Sequence, residues 1–365
     1  PGPTIRGGEH GAFFEQTIPL GAKLRLNRAV FEHSIAEEQS QAEAQQLAVL
    51  TSVRELYYVV LVGERRVAAL ERLSALAEEA VGISRQLFNV GGADRPDVLE
   101  SEIQARRTQL DLDAARNGLH AARQQLSAAA GDPTVASRPL AGSIDEAVPE
   151  LEREATLRAL LDQSPVVHAA RAASERARAT VARARRETSP DLFVRGGVAY
   201  NRELLESGPG GGRQPVGWEG LAEVGVTVPL FNRNQGGIAA ARADEGRADA
   251  ERRRRELELQ SQFAVVYSQY LTALRASEVY RDDMLPRAEE AHRLYLERYR
   301  EMGATYPQVL AAQRTLFQTS AEYLDQLESA WRAVMRLRGL IPDAGLGAPM
   351  TGAGAEDVDS RGGRR

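Results

Sequence analysis

Apolar side chains recur at alternate positions near the start of the chain: Ala12, Phe14, Ile18 and Leu20 share one face, and Phe13, Glu15 and Thr17 share the other. A period of two predicts a strand over residues 12–20 with one apolar side. The pattern then changes. From Ala22 to Phe88 there is no proline, and glycine occurs only at Gly63 and Gly82, so a single helix of about 67 residues is expected, about 100 Å long at ~1.5 Å per residue. Asn89-Val90-Gly91-Gly92-Ala93-Asp94 breaks it, and Pro96 suits the first turn of a returning helix. In that return Val98, Ala105, Leu112, Leu119 and Leu126 stand seven apart, the spacing of a coiled-coil strand that needs a partner along its length. Gly131-Asp132-Pro133 stops it, residues 134–150 read as irregular, and a short helix is expected from Leu151 to Leu161.

Ser164-Pro165 opens a polar, Ala/Arg-rich helix expected to end near Glu187. Leu192, Val194, Val198 and Tyr200 then alternate with Phe193, Arg195 and Ala199, and Ala222, Val224, Val226, Val228 and Leu230 alternate with Leu221, Glu223 and Thr227. Two further strands, over 191–200 and 221–230, are predicted, each about ten residues, the length of a tilted strand across an outer membrane. The glycine-rich stretch from Arg202 to Gly220 between them reads as a solvent loop. Asn232 to Met302 is expected to form a second long helix with a bend at Pro286, since an interior proline lacks its N–H and costs about 3 kcal/mol. The second return repeats the heptads, with Val309, Leu316, Tyr323, Ala330 and Leu337 flanked by Leu310, Phe317, Leu324 and Trp331. Residues 341–365 read as a disordered tail.

These two series are one unit written twice. Gln16-Thr17-Ile18-Pro19-Leu20 answers to Val226-Thr227-Val228-Pro229-Leu230, an offset of 210 that also carries Tyr57 onto Tyr267 and Leu61 onto Leu271. After one inserted residue Gly92-Ala93 falls on Gly303-Ala304, Pro96 on Pro307 and Val98-Leu99 on Val309-Leu310. The expected organisation is a first repeat over 1–130, an intervening equatorial segment over 131–163 and a second repeat over 164–340. In the second repeat a helix and a strand precede the strand that matches residues 12–20, so roughly fifty residues are expected to be missing ahead of Pro1.

Composition narrows the class. Aromatic residues are 5% of the chain and the formal charge is −5; the mixture is that of long helices and gives no reason to expect nucleic acid as a partner. There is no cysteine, which removes disulfides, thiolate chemistry and cysteine metal sites together. No apolar run reaches the roughly 18 residues of a membrane helix. If this chain crosses a bilayer, it does so through a β-barrel.

The segment Val224-Gly225-Val226-Thr227-Val228-Pro229-Leu230-Phe231-Asn232-Arg233-Asn234-Gln235-Gly236 resembles the strand-to-helix junction of TolC-type outer-membrane efflux proteins, in the CzcC/CusC-like branch that serves heavy-metal and cation efflux pumps. Pro19-Leu20-Gly21-Ala22-Lys23 resembles the same junction in the first repeat. Tyr299 to Ala304, followed by Val309-Leu310-Ala311-Ala312-Gln313-Arg314, is similar to the helix-tip segment of the family. The resemblance spans nearly all of residues 10–340. It implies a homotrimer in which each protomer gives four strands to a twelve-stranded barrel in the outer membrane and long helices to a periplasmic tunnel. It also implies tips that meet a periplasmic adaptor coupled to an inner-membrane RND-type pump, and neither enzymatic activity nor a cofactor. Only three strands are predicted here, one fewer than the resemblance implies for each protomer.

The candidate residues follow from the tips. Gly91, Gly92 and Gly303 are expected to adopt positive φ in the turns, and with Asp94, Ala304 and Thr305 they form the expected adaptor contact. Where the resemblance places acidic side chains at the channel mouth in the second repeat, this chain has Gln308 and Ala311; the first repeat has Asp97 and Glu100 at the matching positions. Three protomers would bring six carboxylates near one axis and attract cations. The plainer alternative is that Asp97 and Glu100 complement a helix N-terminus. His10, His33, His120, His168 and His292 are scattered and predict no metal site. Gly208–Gly212 lacks the lysine and the strand-to-helix context of a phosphate loop, and Arg252–Arg255, flanked by Glu251, Glu256 and Glu258, reads as a solvated helix face with local ion pairs. Two function classes remain at this point. One is a passive export duct, for metal cations or alternatively for drugs or a secreted polypeptide. The other is a soluble coiled-coil scaffold, which would have no use for amphipathic strands of membrane length.

Overall fold

The structure is a computed structural model and describes residues 9–142, 144, 147–206, 213–228, 231–339 and 341. Two compact units divide the chain, the first made of 1–41 and 166–255, the second of 42–165 and 256–365. The units cut across the repeats, because each repeat contributes to both.

The first unit is built on a three-stranded antiparallel sheet in the order β1 (Glu9–Pro19), β2 (Asp191–Glu206), β3 (Arg213–Thr227). β2 and β3 are longer than the alternation predicts. Most of the expected loop at 202–220 is paired strand, with Leu204 opposite Pro215 and a register shift between Asn201 and Leu204. Cross-strand backbone bonding does not require alternating side chains, so the pairing continues where the pattern stops. The glycine run at 208–212, Pro229-Leu230 at the expected end of the third strand, and the expected tail from Pro342 all lie outside the described residues.

Both strand-to-helix junctions are left-handed turns. Gly21 (φ 69°) and Ala22 (φ 62°) separate β1 from α1 (Lys23–Asn89). There the Asp191 carboxylate accepts the Leu20 N–H at 3.1 Å and Lys23 Nζ at 2.9 Å. A Cβ on Gly21 would collide with the Ser189 side chain. Ahead of α5 (Gln235–Val279), Asn232 Oδ1 accepts the Asn234 N–H at 3.0 Å. Asn234 itself has φ 54° and donates from Nδ2 to the Ala184 carbonyl of α4 (Pro165–Arg186) at 3.0 Å. Asparagine suits both jobs, the local turn bond and the left-handed backbone.

The second unit holds two helical hairpins. The first pairs α1 with α2 (Arg95–Ala130), which ends on Gly131 at φ 68°. The second pairs α6 (Leu285–Arg300) with α7 (Tyr306–Arg338). The expected second long helix is interrupted by a π-helical turn over Tyr280–Met284, immediately before Pro286 in the first turn of α6; the wider turn accommodates the absent proline N–H. The heptads are buried as their spacing predicts, at Val98, Ala105, Leu112 and Leu126 in α2 and at Val309, Leu316, Ala330 and Leu337 in α7. Leu119 and Tyr323 are half-buried. Between the hairpins in sequence, α3 (Arg153–Gln163) and the irregular segment before it are tied down by tyrosines. Tyr57 donates to the Ala141 carbonyl, Tyr267 to that of Leu151 at 2.8 Å and Tyr270 to that of Pro149 at 2.9 Å. Tyr57 and Tyr267, matched by the repeat, thus perform the same task in both copies.

As expected, α1 has no uninterrupted apolar run of membrane length, although one eighteen-residue stretch of it is apolar enough to cross a membrane by length and composition alone. Val60, Leu61 and Val62 of α1 are buried, and Val60 packs in a cluster with Ala122 and Leu126 of α2; there the apolar surface serves the hairpin.

Candidate functional site

The two hairpins end in tips of matching construction. At the first, Leu87 O accepts the Gly92 N–H at 2.8 Å and Phe88 O that of Gly91 at 3.1 Å; at the second, Arg298 O accepts the Gly303 N–H at 2.7 Å and Tyr299 O that of Met302 at 3.1 Å. Each return helix starts from an extended residue, Asp94 (φ −93°, ψ 161°) or Thr305 (φ −97°, ψ 154°), with proline in the first turn. The side chain three residues on bonds back in both copies: Asp97 Oδ2 accepts the Asp94 N–H at 3.3 Å, and Gln308 Oε1 accepts the Thr305 N–H at 3.0 Å. These are halves of capping boxes, and each satisfies a donor the helix leaves free.

The expectation of positive φ at Gly91, Gly92 and Gly303 holds only at Gly91, with φ 78°. In the second tip the left-handed residue is Met302, φ 55°, which the repeat aligns with Gly91. Gly92 is needed for space instead. A Cβ there would lie 2.9 Å from Met302 Sδ, so the side chain of one tip rests on the glycine of the other. At Gly303 a Cβ would meet only the Arg298 carbonyl, at 3.5 Å.

Beneath the turns both tips share one core of Ala80, Ile83, Leu87, Leu296, Tyr299, Tyr306, Val309 and Leu310, with Ala93 and Ala304 packed against it. The Tyr299 hydroxyl lies 3.2 Å from Ser84 Oγ. Tyr306 is completely buried, and its hydroxyl lacks a hydrogen-bond partner among the described residues. Burial raises its pKa first of all, and the nearby Glu100 and Asp97 carboxylates add to the rise. Asp97 is half-buried and engaged in the cap, whereas Glu100, Asp94, Gly303, Thr305 and Gln308 are exposed. Apolar side chains are exposed beside them, Val90 at 73% and Met302 at 65%. Sequence reasoning missed Met302, although it matches Gly91 in the repeat.

The sheet of the first unit has two unlike faces. Register places Phe14, Ile18, Leu192, Val194, Val198, Val224 and Val226 on one side, and no charged residue occurs on that face across 12–18, 192–200 and 218–226. Val224 there is 70% exposed and Trp218 77%, the latter in edge contact with Tyr200 at 5.4 Å between ring centres. The opposite side carries Glu15, Arg195, Glu219 and Glu223. The outer edges of β1 and β3 have no partner strand among the described residues.

Elsewhere the expected ion pairs are present. Glu251 binds Arg254 at 2.6 Å and Arg255 at 2.9 Å, and the Arg254 bond chiefly holds its carboxyl down at about 2. The side chain of His10 is outside the described set. His33 and His168 are half-buried, His120 is exposed and His292 is buried, and among the described residues no group of three His, Asp or Glu could hold a metal ion.

The model of the family described as Outer membrane efflux protein matches residues 2–132 and 156–341. The cobalt-zinc-cadmium resistance protein CzcC of Cupriavidus metallidurans is 26% identical over 320 residues, covering 87% of this chain and 73% of its own length. Among solved structures, the outer membrane protein VceC of Vibrio cholerae matches with a TM-score of 0.74 at 18% identity, over 90% of this chain and 78% of its own. CusC matches with a TM-score of 0.72 at 13% identity, over 92% and 83%.

Proposed function

This chain belongs to the outer membrane efflux protein family, and from that premise we propose that it is the outer-membrane duct of a tripartite efflux pump. In this reading it works as a homotrimer, takes cargo from an inner-membrane RND-type transporter through a periplasmic adaptor, and carries heavy-metal cations. The observation that carries the reading is the two-faced sheet: strands of 11, 16 and 15 residues, long enough to cross an outer membrane, with an exposed uncharged side and a charged side. A soluble scaffold would gain nothing from that surface. The likeness to CzcC supports metal cations over drugs or polypeptide as cargo. The tips, with Gly91, Gly92, Asp94, Gly303, Ala304 and Thr305, are proposed as the adaptor contact, and Asp97, Glu100 and Gln308 as the mouth. In this assignment the first repeat, 1–130, is a strand feeding a hairpin, and the second, 164–340, is a helix, a strand and an extracellular loop ahead of the strand that feeds its hairpin.

Deletion of the gene in its host, with and without complementation, tests the cargo. The expected result is lost tolerance to cobalt, zinc or cadmium with unchanged tolerance to lipophilic drugs, and the complementing protein should run as a heat-modifiable trimer in outer-membrane fractions. Drug sensitivity with normal metal tolerance would overturn the metal assignment, and a soluble monomer needing no detergent would overturn the duct.

A further inference from the structure

The charged side of the sheet holds an arrangement that the tips do not explain. Glu15, Arg195 and Glu223 are direct cross-strand partners, one from each strand. Arg195 Nε donates to Glu15 Oε2 at 2.8 Å, and Arg195 Nη1 lies 3.6 Å from Glu223 Oε2. The guanidinium also stands 5.7 Å from the centre of the Phe13 ring, which restricts it further. Beside the row is an open notch of about 520 Å³ lined by Phe13, Arg195, Gly197, Glu219 and Leu221. Two carboxylates share one guanidinium, so the row keeps an excess negative charge. Glu15 is committed to Arg195 at the shorter distance. Glu223, 3.6 Å from the guanidinium, is held more loosely and stands on the same charged side of the sheet.

We propose that this row sets the charge preference of the barrel lumen, with Glu223 the carboxylate presented to passing cations and Arg195 the positioning residue that holds the row and limits its negative potential. The proposal rests on the duct reading above, in which the uncharged face meets lipid and the charged face meets the aqueous path. Low-dielectric walls concentrate the field of a charge inside a pore, and repeating the row in each protomer would ring the path at one height.

The test uses the full-length protein in planar bilayers under a potassium chloride gradient. Glu223→Gln should lower the cation-to-anion permeability ratio by roughly twofold and Arg195→Gln should raise it by a similar factor; both shifts should shrink at 1 M salt, where the screening length falls to about 3 Å. Because these 365 residues hold no cysteine, Glu223→Cys supplies a sole thiol among them, and any cysteine outside them is replaced by serine in every variant. A membrane-impermeant anionic methanethiosulfonate puts a negative charge back at that position, so it should return the permeability ratio of that variant toward the unaltered value and leave Val224→Cys, on the other face, unchanged. An unchanged permeability ratio in both charge variants, with normal conductance, overturns the proposal, as does reaction at Val224→Cys but not at Glu223→Cys. Should Arg195→Gln fail to assemble, Glu223→Gln and the thiol pair decide alone, since both leave the Glu15–Arg195 pair in place. If the unaltered protein forms no channels and needs no detergent, the duct reading itself fails, an outcome separate from a working channel with unmoved selectivity.

Discussion

Replacing glycine by alanine should have opposite effects at Gly91 and Gly82, and the structure isolates the reason. A Cβ added at either position meets nothing within 4 Å among the described residues, so neither packing nor collision contributes. Only the backbone differs: Gly91 stands at φ 78° in the first tip, while Gly82 lies inside α1. An L-residue in the left-handed region costs about 1–2 kcal/mol, whereas alanine in a helix interior gains about 0.5–1 kcal/mol over glycine. Local opening of the first tip breaks the Gly92 N–H bond to Leu87 O, 2.8 Å, and the Gly91 N–H bond to Phe88 O, 3.1 Å. Hydrogen exchange at these amides reads that opening directly, and the strain converts to roughly 5- to 30-fold faster exchange in Gly91→Ala. Gly82→Ala should slow exchange in its own helical segment by roughly 2- to 5-fold. The assay is exchange followed by mass spectrometry on the full-length protein in detergent. Two shifts of the same sign, or slower exchange at the tip of Gly91→Ala, would refute the backbone argument.

Gly303→Leu, at a residue with ordinary φ, should leave tip exchange within about twofold of the unaltered protein; loss of adaptor cross-linking in that variant would then report a contact and not a distorted turn. The double change Asp97→Asn with Glu100→Gln should lower cation selectivity at low salt, with Gln308→Ala inert; an unmoved reversal potential at normal conductance would confine both carboxylates to the helix start. His292 gives a pH dependence. Burial lowers its pKa below the ordinary 6.5, partly offset by the Glu79 carboxylate, so the unfolded chain takes up its proton more readily than the folded one. The stability present above about pH 6.5 should fall as the pH drops through the lowered folded value, and thermal unfolding of His292→Leu should show a flatter acid limb than the unaltered protein.

Where one physical rule dominated, the sequence was a good guide. The absence of proline and near absence of glycine from Ala22 to Phe88 sufficed for α1, observed at Lys23–Asn89, and the heptads located the buried stripes of α2 and α7 because an apolar repeat every seven residues has one stable use. Strand faces were legible for the same reason: alternation put Glu15, Arg195 and Glu223 opposite the uncharged side. Their meeting in one row was not legible, since register depends on pairing between distant segments, with Glu15 and Arg195 far apart in sequence. The ends of β2 and β3 were missed because backbone pairing outlasts the side-chain pattern. Glycine was a poor guide to φ: Gly92 and Gly303 suggested left-handed turns, yet the requirement at Gly92 is room for Met302.

That last difference shows how the two copies have diverged into complementary parts. Gly91 and Met302 occupy equivalent positions and both are left-handed, at φ 78° and 55°, so the turn geometry is retained although only one copy has the residue that adopts it without strain. Methionine is tolerated in the second copy because its side chain has somewhere to go, onto Gly92 of the first tip, where any Cβ would come within 2.9 Å of the sulfur. Glycine at 302 would relax the backbone and forfeit that contact; a larger residue at 92 would displace it. The division extends to the caps, since Asp97 and Gln308 make the same bond to the N-cap N–H but only the first adds charge. A mouth built from such copies would carry its carboxylates in one repeat and neutral caps in the other, which sets the spacing of charge around the proposed trimer axis without altering the helix starts that hold it.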